Sequence, residues 1–242
     1  MTFPRVRPVV QVLSLDAMNT LIKPRFPIAQ LYSQFARAHN VNVNESDLAA
    51  VFPPLFKSLS GSSPCYGFNK EGPRSWWSSL IVNALERAGS GPISPSVAAK
   101  ISNELYDHYA LAEAWQLVDE EIPSVLSRLR LKGIAICVIS NFDHRLKSIL
   151  TSMGLSDHFQ MVVLSGELGM EKPDRRVFDT VLRHFSLRDS STLLHIGDDL
   201  DKDYRAAKAI GARALLFDPK DKHSDSLDEH DRLRSFSRLN LF

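Results

Sequence analysis

The chain has few cysteines and no long apolar run. Its two cysteines are Cys65, in a polar loop, and Cys137, in an apolar run, so a disulfide framework is excluded. No apolar run approaches the roughly 18 residues of a membrane span, and no apolar signal-peptide core follows Met1–Pro8. These absences predict a protein of a reducing compartment with no membrane partner. The cytoplasm is the default location, with nucleus or organelle left open.

The chain also lacks an excess of charge of either sign. Its 29 basic and 28 acidic residues leave a net charge of +1, so no global field attracts nucleic acid, and no nucleic-acid partner is expected. A composition of 44% hydrophobic and 24% charged residues is typical of a globular protein. A chain of 242 residues can form one full core and an accessory domain. The oligomeric state is not determined by these features.

Two kinds of hydrophobic pattern divide the chain. An apolar strand runs from Val9 to Leu15, and from Ile122 onward helices alternate with apolar strands, a pattern that predicts a parallel sheet covered on both faces. The intervening residues have helical periodicity. The expected fold is therefore an α/β core of residues 1–23 and 116–242 with an all-helical insertion of residues 24–115. Helices are predicted in the insertion at Ile28–Ala38, Glu45–Leu59 (bent or ended by Pro53 and Pro54), Arg74–Ala88 and Pro95–Ala110. The charged tail, Asp218–Phe242, is expected to be partly helical.

Polar residues follow three of the predicted strands. Asp16 follows the first, Ser140 and Asn141 follow the strand near residue 134, and Asp198 follows the strand near residue 192. Functional groups gather at the carboxyl ends of the strands in an open parallel sheet. Carboxylates are ligands for Mg²⁺, and a hydroxyl with the ammonium of Lys172 suits phosphoryl oxygens. The sequence therefore predicts a site for phosphate and a metal.

Four segments, in order, resemble the motifs of the haloacid dehalogenase-like (HAD) hydrolase superfamily. They are Leu13–Leu21, Val138–Asn141, Glu171–Pro173 and His195–Asp203. The resemblance implies a Rossmann-like parallel-sheet core, and the helical insertion is similar to the family's C1 cap. The stretch Cys65–Phe68 leading to Ser75–Trp77 narrows the resemblance to one subgroup.

The resemblance also implies roles for individual residues. Asp16 would be the nucleophile that forms an aspartyl phosphate, while Ser140 and Lys172 would bind the transferring phosphoryl group. The substrate would be a small phosphorylated molecule, contacted by Asn141 and Thr20. The cofactor would be Mg²⁺. Its ligands would be Asp16, the backbone carbonyl of Met18 and Asp198, with support from Asp203.

Met18 departs from the family's pattern. Phosphatases of the family place there an Asp that protonates the leaving oxygen, and a thioether cannot do this. Losing a general acid costs about 10²- to 10⁴-fold in rate, most for alkyl phosphates and least for acyl or aryl phosphates. The sequence thus predicts a weak phosphatase, with a binding or regulatory module that lacks turnover as the alternative. A 2-haloacid dehalogenase, whose nucleophile attacks carbon, is less favoured because Asp198 and Asp203 would surround Asp16 with negative charge.

Three further sets of residues have two possible interpretations. The loop Tyr66–Lys70 suits substrate selection, although a plain surface loop is the simpler interpretation. Trp76 and Trp77 are expected in the core of the insertion, with a place in the substrate cleft as the alternative. His195, on an apolar strand, is expected to be a packed, hydrogen-bonded side chain rather than a metal ligand.

Overall fold

A computed structural model describes residues 10–241 of the chain. The predicted strand start at Val9, the segment Met1–Pro8 and Phe242 lie outside the described residues. The strands are β1 (Val12–Leu15), β2 (Ile22–Pro24), β3 (Trp115–Leu117), β4 (Ala135–Ser140), β5 (Met161–Leu164), β6 (Leu193–Gly197), β7 (Arg213–Phe217) and β8 (Arg232–Leu233). Six of them form one parallel sheet in the order β5-β4-β1-β6-β7-β8.

Helices flank this sheet, and five further helices lie along the chain between β2 and β3. They are α1 (Ile28–Ala38), α2 (Glu45–Ser62), α3 (Pro64–Gly67), α4 (Gly72–Leu85), α5 (Pro95–His108), α6 (Ile122–Leu131), α7 (Arg145–Ser152), α8 (Ser165–Leu168), α9 (Arg175–His184) and α10 (Ala206–Ala209). None of the helices within residues 10–241 is both long and apolar enough to cross a membrane. The predicted α/β, Rossmann-like fold class is confirmed.

The sheet is apolar on both faces. Leu13 and Leu15 of β1 pack with α6 and α7 residues in one buried cluster. Val12 of the same strand packs with Cys137 and with α9 residues in a second cluster. Successive side chains of a strand point to opposite faces, so one central strand contributes to both clusters. This two-sided burial fixes where β1 ends, and therefore where Asp16 lies.

The helices of the insertion, which lie between residues 28 and 108, form an apolar cluster of their own. Its members include Tyr32 of α1, Leu48 of α2, Ile81 of α4 and Leu105 of α5. The Asn44 side chain caps α2 by accepting hydrogen bonds from two backbone N–H groups of its first turn. The insertion therefore packs around its own centre beside the sheet.

Pro53 and Pro54 do not end α2, which continues to Ser62. Of the two expected effects, an end of the helix is therefore wrong, and a bend stays a prediction. Each proline removes one backbone N–H and leaves a carbonyl one turn earlier without its usual partner. Those carbonyls belong to Ala49 and Ala50, both exposed, so water can satisfy them.

The ends of the predicted insertion, residues 24 and 115, are not helical. β2 and β3 form a two-stranded antiparallel ribbon that pairs Pro24 with Trp115, so the chain enters and leaves the insertion through one ribbon. Strands of three residues are too short to show a clear alternation in sequence, which is why this ribbon was missed. The division into two domains at these residues stays a prediction.

The tail is also not α-helical within residues 218–241. It forms 3₁₀ turns at Glu229–Asp231 and Phe236–Arg238, and the strand β8, which pairs with β7 at the edge of the sheet. The Asp218 carboxylate accepts hydrogen bonds from the backbone N–H groups of Lys222 and His223. Such side-chain to backbone bonds favour turns over a continuous helix. The tail, expected to be partly helical, is helical only in these two 3₁₀ segments.

Candidate active site

Asp16 lies directly after β1, at the carboxyl edge of the sheet. Its backbone N–H donates to the Ile196 carbonyl of the neighbouring strand at 2.9 Å, which fixes the backbone at this point. Its side chain is buried, and one carboxylate oxygen accepts from the Lys172 ammonium at 2.7 Å. The structure thus brings the predicted nucleophile and the predicted lysine into contact.

Lys172 is a buried cation shared by two carboxylates. Its ammonium donates to Asp16 at 2.7 Å and to Asp203 at 2.5 Å. Although burial opposes it, the two carboxylates hold the pKa of Lys172 above its ordinary value. This lysine is therefore a fixed positive charge at the end of the central strand.

Asn141 holds the backbone of Lys172 from both sides. Its side-chain oxygen accepts from the Lys172 N–H at 2.8 Å, and its side-chain nitrogen donates to the Lys172 carbonyl at 2.9 Å. The amide predicted to bind substrate thus positions the lysine. Its contact with a substrate stays a prediction.

Asp203 is held by three donors. One oxygen accepts from Lys172 and is 3.1 Å from Nε2 of His195, while the other accepts from the Asp199 N–H at 3.0 Å. His195 also pairs through Nδ1 with the Ser14 hydroxyl at 2.8 Å, so it is packed and hydrogen-bonded as expected. A Cβ on Gly197 would lie 2.2 Å from the Asp203 carboxylate. Glycine at 197 is therefore needed for the close approach of Asp203.

Burial and charge shift the pKa values of the acidic groups in opposite directions. Burial, reinforced by the charge of Asp203, raises the pKa of Asp16 and the pKa of Asp198 to about 6. Burial acts on Asp203 in the same sense, but Lys172 and the hydrogen bond from His195 outweigh it and hold the pKa of Asp203 below its ordinary value. Burial also lowers the pKa of His195, which favours a neutral imidazole. The cluster thus contains one firmly ionised carboxylate and two that resist ionisation.

Three carboxylates of this edge form a cluster that could hold a metal ion. Oxygens of Asp16, Asp198 and Asp203 lie within 4.8 Å of one another. Full ionisation gives them three negative charges against the single positive charge of Lys172, a difference of two that a divalent cation would neutralise. Carboxylate oxygens are also the ligands that Mg²⁺ prefers. The donor set and the charge balance therefore fit Mg²⁺.

The remaining predicted residues lie in two places. Ser140, at the end of β4, and Met18 border the same cavity as Asp16. Thr20 is fully buried outside that cavity wall, and its hydroxyl has no hydrogen-bond partner among the described residues. It lies in the tight turn in which the Ala17 carbonyl accepts from the Leu21 N–H. The substrate contact of Thr20 and the role of the Met18 carbonyl stay predictions.

A cavity of about 600 Å³ extends from the carboxylates toward the helical insertion. Much of its wall is aromatic. The aromatic residues that line it are Tyr32, Phe52, Phe56, Tyr66, Trp77, Tyr106, Tyr109, Trp115 and Phe142. Trp76 is almost fully buried in the insertion, as expected for a core residue, whereas Trp77 borders this cavity. A place for Trp77 in a substrate cleft stays a prediction. An apolar cavity with convergent polar groups at one end is the usual form of a small-molecule site.

A buried ion pair supports the wall and was missed by sequence reasoning. The Arg145 guanidinium donates to both carboxylate oxygens of Asp143, at 2.9 and 2.6 Å, and lies 3.9 Å from the ring centre of Tyr106. The indole N–H of Trp77 donates to the same carboxylate at 2.7 Å. The one signal in the sequence is an acidic and a basic residue two positions apart, beginning two residues after Asn141.

The α3 turn joins the insertion to the loops of the site. Cys65 and Tyr66 both have a φ in the left-handed region, 53° and 57°, which turns the chain sharply toward the sheet. The Tyr66 hydroxyl donates to the Asn141 carbonyl at 2.7 Å. The Phe68 ring packs so closely on Gly169 that a Cβ there would lie 2.4 Å from it. This turn is therefore a contact surface on the core rather than a plain surface loop.

The fold and the acidic edge together define a class of protein. The family described as haloacid dehalogenase-like hydrolase matches residues 10–211, and the chain belongs to it. More narrowly, the chain is 32% identical over 237 residues to haloacid dehalogenase-like hydrolase domain-containing protein 3 of Bos taurus, covering 95% of this chain and 92% of that protein. This is the subgroup that the stretch Cys65–Phe68 indicated, so both levels of the resemblance are confirmed.

Solved structures with this fold include a protein described as a HAD-hydrolase and one described as a 2-haloacid dehalogenase. The HAD-hydrolase YfnB of Bacillus subtilis, in a structure bound to magnesium, is similar with a TM-score of 0.69 and 16% identity, covering 95% of this chain and 96% of that one. A 2-haloacid dehalogenase of Pseudomonas syringae is similar with a TM-score of 0.64 and 21% identity, covering 94% of this chain and 95% of that one. At these identities the likeness shows the shared fold alone.

Proposed function

We propose that the chain is a Mg²⁺-dependent phosphatase that acts through an aspartyl phosphate on a small phosphorylated molecule. The observation that carries the proposal is the buried contact between Asp16 and Lys172 at the end of the cavity. A carboxylate held beside a fixed ammonium suits attack on a phosphoryl group, whose negative charge the ammonium stabilises.

The reaction has two displacements at phosphorus. A carboxylate oxygen of Asp16 forms a bond to phosphorus, and the bond from phosphorus to the leaving oxygen breaks, with its electron pair remaining on that oxygen. Water then attacks phosphorus, the bond to Asp16 breaks, and phosphate and a proton leave to solvent. Lys172 and Ser140 stabilise the phosphoryl oxygens in both steps.

The metal would be held by Asp16, Asp198 and the backbone carbonyl of Met18, with Asp203 in support. When bound, Mg²⁺ supplies the positive charge that brings a phosphate dianion into an edge of three carboxylates. Asp203 is already engaged by Lys172 and His195, so its part in this proposal is to set the geometry of the others.

Met18 makes the proposed enzyme selective for its leaving group. Met18 borders the cavity that Asp16 also lines, and its thioether has no proton to donate. An alkoxide then leaves without protonation, which is slow, while an acyl phosphate or a phenolate needs little help. We therefore propose weak activity on alkyl phosphates and measurable activity on acyl and aryl phosphates.

Met18 is also the observation that favours a second candidate. A site that keeps Asp16, Ser140, Lys172 and Asp198 but lacks the acid could hold Mg²⁺ and a phosphorylated ligand without turnover, as a binding or regulatory module. A dehalogenase is disfavoured because Asp198 and Asp203 place negative charge beside Asp16, where a haloacid carboxylate would have to bind.

The arrangement of the chain also suits the family's architecture. We propose residues 24–115 as a C1 cap over a core of residues 1–23 and 116–242, because the insertion has its own apolar cluster and is entered through one ribbon. Both cysteines are free thiols, which supports the proposal of a reducing location such as the cytoplasm.

The test is hydrolysis of acetyl phosphate, p-nitrophenyl phosphate and a simple alkyl phosphate, with and without Mg²⁺. The Asp16→Asn protein is the blank, since its side chain has the same shape and cannot form the aspartyl phosphate. Activity on the first two substrates that requires Mg²⁺ and disappears in the blank supports the phosphatase. Equal rates in the two proteins would leave the binding module as the better description.

A further inference from the structure

We propose that the substrate is an aryl phosphate, the phosphate monoester of a phenol, with its ring held by the aromatic wall of the cavity. This inference rests on the proposed phosphatase function and specifies its substrate class. Two observations carry it, the aromatic side chains of the wall and the engaged state of Arg145, and the leaving-group preference proposed for Met18 agrees with them.

The part of the wall that the insertion provides is a row of rings. Phe52 and Phe56 are one turn apart on α2, with ring centres 6.3 Å apart, and the Phe56 ring is 5.9 Å from that of Trp77 on α4. All three side chains are only partly buried and border the cavity. Aromatic pairs favour offset or edge-to-face contacts beyond the gain from apolar area. A planar ring therefore uses this wall better than an aliphatic chain of the same size.

The charged group of the wall is already engaged. Arg145 borders the cavity, but its guanidinium is bound to both oxygens of Asp143 and to the Tyr106 carbonyl. Lys202 also borders the cavity, but at its polar end, 3.9 Å from the Asp199 carboxylate. Beside the aromatic rings, a substrate rich in hydroxyl or carboxylate groups would therefore lose water without gaining a cation from the described wall residues.

The chemistry at Asp16 points to the same substrates independently. Because Met18 cannot protonate the leaving oxygen, an oxygen that is stable as an anion is favoured, and a phenolate meets this condition while an alkoxide does not. The phenolate leaves with the electron pair of the broken bond to phosphorus and takes its proton from solvent. The wall and the reaction thus select the same class, the aryl phosphates.

Three small substrates separate ring recognition from leaving-group quality. Phenyl phosphate has the ring and a good leaving group, benzyl phosphate has the ring and a poor one, and cyclohexylmethyl phosphate has neither. We expect the KM of benzyl phosphate to be about tenfold below that of cyclohexylmethyl phosphate. We expect kcat for phenyl phosphate to be about 10²-fold above that for benzyl phosphate.

Variants of the wall connect this preference to the structure. Phe56→Leu and, separately, Phe52→Leu should reduce the tenfold preference for benzyl over cyclohexylmethyl phosphate to about twofold. Phe26→Leu is the matched control, because Phe26 is 49% exposed and outside the cavity wall, and should leave the preference unchanged. Equal KM values for the two substrates in the wild type would overturn the inference.

A binding measurement keeps this result distinct from a failure of the proposed function. If acetyl phosphate is not hydrolysed above the Asp16→Asn blank, the phosphatase proposal fails. Calorimetry with Mg²⁺ and benzylphosphonate or cyclohexylmethylphosphonate then tests the ring site alone. About tenfold tighter binding of the benzyl compound supports the aromatic site, and equal affinity overturns it. If acetyl phosphate is hydrolysed and phenyl phosphate is not, the phosphatase stands and the aryl substrate class is wrong.

Discussion

The polar edge of the sheet, formed by Asp16, Lys172, Asp198 and Asp203, differs from the aromatic wall of the cavity in how its side chains are held. At the edge, Asp16, Lys172 and Asp203 are buried and bonded to one another, so their positions are set before any substrate arrives. In the wall, Phe52 and Phe56 are partly buried and make ring contacts. The difference suggests a division of work, in which the edge determines rate and the wall determines which molecule binds. Changes at the edge should then affect kcat, and changes in the wall should affect KM.

Removing the charge of Lys172 should have the largest effect. In Lys172→Met, Asp16 and Asp203 lose their shared cation, and we expect kcat for acetyl phosphate to fall by about 10²- to 10³-fold with a smaller change in KM. Steady-state kinetics measures both constants. Lys100→Met, at an exposed position of α5, is the control and should change neither. An increase in KM with kcat unchanged would break the proposed division.

Adding an acid at position 18 should raise kcat for substrates with a poor leaving group. We expect Met18→Asp to raise kcat for benzyl phosphate by about tenfold or more, because a carboxylic acid there can protonate the leaving alkoxide. The effect on phenyl phosphate should be small, since a phenolate leaves without a proton. Met18→Leu serves as the control for the change in packing. No gain with benzyl phosphate would mean that a missing acid does not limit the rate.

Mg²⁺ should stabilise the protein more at neutral than at acidic pH. The pKa values of Asp16 and Asp198 are raised to about 6, so without metal their contribution to stability is full below about pH 4 and is lost as the pH rises through 6. Above pH 6 both are ionised and free to bind Mg²⁺. We expect the Tm increase with Mg²⁺ to be several degrees at pH 7.5 and near zero at pH 5.

The same thermal measurement has a clear control. Asp198→Asn removes one proposed ligand and should abolish the Mg²⁺-induced shift at pH 7.5. A shift of equal size at both pH values, or one that persists in Asp198→Asn, would argue against metal binding at the polar edge.

Loss of the hydroxyl of Tyr66 should have the smallest effect. Tyr66→Phe removes the hydrogen bond to the Asn141 carbonyl, a change of about 1 kcal/mol in the free energy of unfolding. Denaturant unfolding measures it, and Tyr106→Phe is a matched control because that hydroxyl has no partner among the described residues. Equal losses in the two variants would show that the α3 turn does not depend on this contact.

The polar edge could be predicted from sequence because short-range rules place it. Asp16, Ser140 and Asp198 each follow an apolar strand, and parallel strands end at one edge, so three distant segments converge without knowledge of packing. The same rules do not predict which groups each side chain contacts in the folded protein. They do not show that the amide of Asn141 bonds to the backbone of Lys172, or that the Thr20 side chain is fully buried.

The aromatic wall could not be predicted because it depends on how helices pack. Phe52 and Trp77 are 25 positions apart on different helices, and an aromatic residue at helical spacing is equally suited to a core. Asp143 and Arg145 lie two residues apart, but their burial depends on Trp77 and Tyr106 of the insertion. Contacts between the insertion and the core therefore had no local signal in the sequence.

The short edge strand β8 has a consequence for how molecules of this protein meet. An uncovered strand presents unpaired N–H and C=O groups to which a strand of another molecule can add. Here Arg232 and Leu233 cover the end of β7, and Arg232 pairs with Asp221 at 2.5 Å, so the sheet ends in a two-residue strand secured by charge. A chain shortened before β8 would expose β7, and we expect it to self-associate into aggregates. Light scattering of the shortened and full-length proteins would measure this, and equal scattering would show that the tail does not protect the sheet edge.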